Sequence, residues 1–157
     1  MSAEQGLHRE LTAKLVDAAV EVHRVLGPGY VELFYEQAFA RELELRGIKS
    51  ERQKTFRVQY KDVEVGEHRL DFLVEGVVVV ELKTIKELTD TDLARMISYL
   101  KATNLEVGLF FNFAKARMKD GIRRVARTDA LVPRPAISTF IFVAMLLMNS
   151  LYLLIRG

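Results

Sequence analysis

An aspartate, nine intervening residues, and then Glu-Leu-Lys form the most chemically suggestive pattern in this sequence: Asp71, Glu81 and Lys83. The stretch DFLVEGVVVVELK that contains them reads as two extended runs around Glu75-Gly76, the pattern of a β-hairpin. Residues 71 and 81 are equidistant from Gly76, so a hairpin centred there sets their Cβ atoms opposite each other, about 5 Å apart. Glu81 and Lys83 are two apart on a strand and leave the same face. Two carboxylates at that separation repel unless something lies between them, and a divalent cation with oxygen preference is the natural occupant. Lys83 would then hold a water or the developing charge on phosphorus. The geometry carries a condition. A strict two-residue turn at Glu75-Gly76 pairs Asp71 with Val80, so the site needs an odd-numbered loop or a bulge.

The pattern also has a plain structural reading. Asp followed at a distance by Glu-x-Lys arises by accident in ordinary hairpins, with Glu81 and Lys83 forming a weak ion pair where a strand emerges into water. Against this, Glu81 follows four valines, 77 to 80. It therefore ends a strand whose composition is that of a core, where an unpartnered charge is costly. A third carboxylate, Glu32, stands at the start of a helix, where the dipole favours negative charge. Taken alone, it is an ordinary helix-start glutamate. His8, His23 and His68 show no ligand spacing, and with no cysteine there can be no thiolate site or disulfide. A phosphate-binding loop and a serine nucleophile motif are also missing, which leaves ATPase and acyl-hydrolase chemistry unsupported.

The elements that must position these groups follow from periodicity. Residues 8–26 place Leu11, Leu15, Ala18, Ala19, Val22, Val25 and Leu26 on one helical stripe, stopped by Gly27-Pro28-Gly29. A second helix runs from about Val31 to Arg46 and ends at Gly47. Phe56, Val58 and Tyr60 then alternate with polar residues as in a strand, and Lys61-Asp62 turns the chain into Val63-Val65. After the hairpin, Asp90 is a candidate cap for a helix over 91–103, stopped by Asn104. Residues 106–113 read as a strand buried on both faces. Residues 114–132 are open to either a short helix or another strand. The order predicts an α/β sandwich with a central mixed sheet flanked by helices, spanning residues 7–132.

With this organisation in place, a family resemblance emerges. Gly29, Glu32 and Tyr35 match G-x-x-E-x-x-Y, and LDFLVEG, VVVELK, SYLKAT and GLFFNF follow in order. In combination these segments resemble the bacterial GxxExxY proteins of the PD-(D/E)XK nuclease-like superfamily, over about residues 11–113. The resemblance implies a restriction-endonuclease-like fold and metal-dependent hydrolysis of phosphodiester bonds, in DNA. It implies that Asp71, Glu81 and Glu32 bind Mg²⁺ or Mn²⁺, that Lys83 assists the attacking water, and that Arg95, Tyr99 and Tyr35 lie on the substrate side. One departure stands out: Arg95 occupies the place where relatives usually carry glutamine. Arginine binds phosphate but cannot accept a hydrogen bond.

Bulk properties fit a globular chain of 157 residues, 50% hydrophobic and 28% charged, with a net charge of only +2. Arg117, Lys119, Arg123, Arg124, Arg127 and Arg134 cluster near the C-terminus, either a phosphate-facing patch or a solvated basic face. Residues 136–155 contain no charge. As a helix they would span about 30 Å, the thickness of a bilayer's hydrocarbon core, and the basic flank would keep the domain on the cytoplasmic side. A C-terminal helix packed on the domain or on a second copy is the other reading, and a tail acquired by frameshift or fusion a third. Two functional rivals accompany the nuclease: a non-catalytic nucleic-acid-binding module of the same fold, and a membrane-tethered interaction protein whose carboxylates are structural.

Overall fold

The computed structural model describes residues 8–127. Helices α1 (Arg9–Leu26) and α2 (Glu32–Leu45) are followed by strands β1 (Ser50–Tyr60), β2 (Val63–Val74) and β3 (Val78–Lys83). Helix α3 (Asp90–Thr103), strand β4 (Val107–Asn112), a 3₁₀ turn (Met118–Gly121) and strand β5 (Ile122–Ala126) complete the order. The five strands lie side by side as β1-β2-β3-β4-β5. Only β3 and β4 are parallel, and α3 supplies the crossover that a parallel pair requires.

Each face of the sheet is covered. Leu15, Ala18, Ala19 and Val22 of α1 and Tyr35, Phe39 and Leu43 of α2 pack with Phe72, Val78, Val80, Leu82 and Phe111. Val79, which alternates with Val78 and Val80, points the other way and joins Leu70, Phe110 and the α3 residues Met96, Tyr99 and Leu100. This two-sided burial explains why β3 and β4 are nearly continuous apolar runs. Close seating of α3 depends on Gly108, where an added Cβ would lie 2.3 Å from Sδ of Met96.

Several expectations are revised by the fold. Strand β1 begins at Ser50, and β2 runs unbroken through Gly66 instead of dividing there. Thr89, not Asp90, caps α3, its hydroxyl accepting the Asp92 N–H while the Asp92 carboxylate accepts the Thr89 N–H. Val25 is exposed, not part of the buried stripe of α1. The segment after β4 holds both a helical turn and a strand, β5. Among the described residues no helix is long and apolar enough to cross a membrane. The apolar segment 136–155, read as a C-terminal helix, lies outside the described residues.

Candidate active site

The hairpin meets its condition. Strands β2 and β3 pair as Phe72↔Val80, Leu73↔Val79 and Val74↔Val78, leaving the three-residue loop Glu75-Gly76-Val77. Glu75 and Gly76 both adopt positive φ, 49° and 70°, so the glycine serves a position that a side chain resists. This register brings Asp71 opposite Glu81, but the backbone ladder stops one residue short, at Phe72↔Val80. Side chains take over. The Asp71 N–H donates to Oε1 of Glu81 at 3.2 Å, and the Leu82 N–H donates to Oδ2 of Asp71 at 2.9 Å. The pairing with β1 also skips Asp71 and Gln53, and Gln53 has a φ of 51°. Leu70 accordingly joins the α3 cluster while Phe72 joins the other, although a regular strand would put both on one face.

Lys83 lies at the end of β3 with its Nζ 3.9 Å from Oδ1 of Asp92, both side chains largely buried. Glu32, the first residue of α2, lies close enough to the Thr84 backbone, just past β3, and to Lys83 and Asp71 for all three to act on its carboxylate. The site therefore forms where the first turns of α2 and α3 approach the C-terminal end of β3 and the part of β2 that lies opposite it. Helix N-termini carry partial positive charge, which offsets part of the negative charge that Glu32 and Asp92 bring to these first turns.

Burial and crowding raise the affinity of these carboxylates for protons. Glu81, 7% exposed, is pushed up to about 8, by burial first and then by the Asp71 charge, with Lys83 and the Asp71 N–H opposing. Asp71 is raised by burial, against the Leu82 N–H that favours its charged form. Glu32 is raised by burial as well, with Lys83 pulling it down. Lys83 acts on all three and on Asp92 as well, so one ammonium serves four carboxylates. Fully ionised, the three carboxylates outnumber the one ammonium they share, and their donors are hard oxygens, so the chemistry fits a divalent cation such as Mg²⁺ or Mn²⁺. Among the described residues no group of three or more acidic or histidine side chains is already gathered around a metal position.

With this geometry established, the comparison with known families is decisive. Residues 9–125 match the PD-(D/E)XK nuclease superfamily. The chain belongs to that superfamily. The mixed five-stranded sheet with helices on both faces is its restriction-endonuclease-like α/β fold. A structural match is an alkaline exonuclease from Laribacter hongkongensis, 16% identical, with a TM-score of 0.47, covering 99% of this chain and 87% of that one. No curated protein matches.

The remaining candidate residues divide into two kinds. Tyr99 on α3 is nearly buried against Phe56 and His68, with ring centroids at 5.5 and 5.2 Å. Burial raises its hydroxyl pKa, and the charges of Glu81 and Asp71 add to the rise, so it borders the carboxylates. Arg95, exposed on the same helix, acts electrostatically on Tyr99 and Asp92. Tyr35 is different. Its side chain is fully buried, stacked on Phe113 at 4.5 Å, and its hydroxyl donates to Gly27 O at 2.6 Å and accepts the Tyr30 N–H at 3.2 Å. It cannot touch a substrate, and the expectation that it binds one is corrected. Tyr35 instead clamps the glycine turn that leads into Glu32.

Asp92 and Asn112 escaped the sequence reading. Asp92 is doubly employed, in the cap of α3 and beside Lys83. Buried Asn112 hydrogen-bonds both the N–H and C=O of Ile85 and so pins the chain just after Lys83 and Thr84. The basic cluster does not form one surface with the site. Arg117 pairs with Asp120, and Arg127 is tied to Leu100 O and Asn104 at the C-terminal end of α3. Arg123 and Arg124 sit on β5, two strands from β3, and Arg134 lies outside the described residues.

Proposed function

We propose that this chain is a divalent-metal-dependent nuclease that hydrolyses phosphodiester bonds in DNA. The observation that carries the reading is the reciprocal lock of Asp71 and Glu81, each carboxylate held by a backbone N–H of the opposite strand while its second oxygen is left for a ligand. Glu32 adds a third carboxylate from α2. Bound there, Mg²⁺ or Mn²⁺ would supply Lewis-acid stabilisation of the phosphate and a more acidic water.

The chain's own residues contribute the rest. Lys83, restrained by Asp92, presents an ammonium that donates to a phosphate oxygen or holds the attacking water in line. Arg95 adds positive charge on the α3 side, where a flanking phosphate can accept its planar fork. Super-family membership and the electrostatics of the corner support this reading together.

The test is cleavage of single-stranded and duplex DNA in Mg²⁺ or Mn²⁺, beside Asp71→Asn and Glu81→Gln. Metal-dependent cleavage lost in both variants supports the assignment. Undiminished cleavage by both would sink it. Salt-sensitive DNA binding with no cleavage in any divalent ion would indicate a binding module of the same fold.

A further inference from the structure

Beyond the carboxylates the sheet forks. Strand β2 pairs with β3 only from Phe72 to Val74, yet β3 continues along β4 to Lys83 and β2 continues along β1 to Val63. Asp71 and Glu81 stand where the two strands part. Helix α3 spans the fork on one side, with Asp92 beside Lys83 on β3 and Tyr99 against Phe56 and His68 of the β1–β2 arm.

Each wall of the fork carries a cation two residues from its carboxylate, Lys83 after Glu81 and Arg69 before Asp71. The nuclease reading uses Lys83 and leaves Arg69 without a role. Leu70 turns into the α3 cluster, so its neighbour Arg69 leaves the opposite face, away from α3, and is exposed there. Its charge still reaches the Asp71 carboxylate and favours the ionised form. The other arginines of β1 and β2 are held by acids, Arg52 by Glu36 at 2.9 Å and Arg57 by Glu64 at 3.3 Å. Among the described residues no hydrogen bond or ion pair ties down the Arg69 guanidinium.

We infer that Arg69 binds a backbone phosphate of the substrate, next to the phosphate at the carboxylates, and so holds the strand in the fork. The inference rests on the nuclease reading and adds a substrate-positioning residue to it. Two residues of strand are about 7 Å, which sets Arg69 back from the Asp71–Glu81 pair, toward a neighbouring phosphate. A guanidinium is always charged, and its planar donors match phosphate oxygens in pairs. An exposed one beside the site, engaged with no acid, is free to take that role. Lys83 on the other wall then meets the reacting phosphate, and the two cations bracket the strand.

The test is fluorescence anisotropy of labelled single-stranded and duplex oligonucleotides with the full-length protein in Ca²⁺. Arg69→Gln should weaken binding about tenfold. The slope of log K against log salt should shrink by about 0.9 on duplex or 0.7 on single strands, the loss of one phosphate contact. Arg69→Lys keeps the charge and should restore most of the slope, with less of the affinity. Arg57→Gln, on the same arm but engaged with Glu64, should leave the slope unchanged. With Mg²⁺, Arg69→Gln should raise KM and largely keep kcat, as loss of uniform binding does.

An Arg69→Gln slope equal to that of the unmutated protein would overturn the proposal. Tighter Mg²⁺ binding in that variant would then make Arg69 an electrostatic neighbour of Asp71 and nothing more. Absence of any nucleic-acid binding by the unmutated protein would overturn both this inference and the nuclease reading. Binding with an Arg69-dependent slope but no cleavage leaves the contact standing and ends the catalytic reading. Cleavage that is lost in Asp71→Asn, beside an unchanged slope in Arg69→Gln, does the reverse.

Discussion

Asp71 and Glu81 face each other across a hairpin whose backbone bonds have already ended, and each carboxylate hydrogen-bonds the main chain of the opposite strand. This cross-lock fixes the separation of two groups that repel. It also occupies one oxygen of each, Oε1 of Glu81 and Oδ2 of Asp71.

The first consequence concerns pH. Glu81 has a folded pKa of about 8 against 4.5 unfolded, so in that window the folded chain binds the extra proton. Metal-free stability should therefore be highest below about 4.5 from this group, decline through neutrality, and level off above about 8. The loss is on the order of a few kcal/mol. Urea unfolding of Glu81→Gln should show a flatter profile over the same range.

Cation binding must displace that proton. Affinity for Mg²⁺ should then tighten with pH, by up to roughly tenfold per unit below 8, and level off beyond it. Calorimetry in buffers of different ionisation enthalpy should register proton release at pH 7 and almost none at pH 9.

Tyr35→Phe deletes one hydroxyl and orphans two polar groups of the glycine turn. A cost of about 1–3 kcal/mol is expected, readable as a lower urea midpoint with an unchanged m value. Cleavage should fall as well, because the turn leads directly into Glu32.

Asp92→Asn keeps the Thr89 hydroxyl cap but removes the charge beside Lys83. Stability should drop by about 1 kcal/mol. Catalytic turnover should fall less than in Lys83→Ala, since the ammonium remains but is no longer restrained; steady-state kinetics of the two variants distinguish these effects.

The hairpin pivot, and with it the Asp71–Glu81 pairing, was legible from symmetric spacing about Gly76. The loop length was not, because Glu75 rarely adopts the left-handed conformation that makes a three-residue loop here. Thr89-x-x-Asp92 is a capping-box pattern that could have placed the helix start one residue earlier, yet its contact with Lys83 depends on how α3 packs and leaves no local trace. Tyr35 could have been read as core, since Phe39 and Leu43 repeat it at four-residue intervals on the buried stripe of α2. Strand β5 stayed undecided against a short helix because Ile122–Ala126 is a short edge strand with two adjacent arginines, which breaks the alternation a longer strand would show.

The most direct test of the central claim is thermal unfolding of the full chain at pH 8 during titration with Mg²⁺ and Mn²⁺, beside Asp71→Asn and Glu81→Gln. A ligand that binds the folded state must raise the midpoint, by about 2.7 kcal/mol of stabilisation at a hundredfold excess over Kd. The account predicts a saturable rise in the unmutated protein and none in either variant. An equal rise in all three, or none in any, would contradict a cation site built from Asp71 and Glu81.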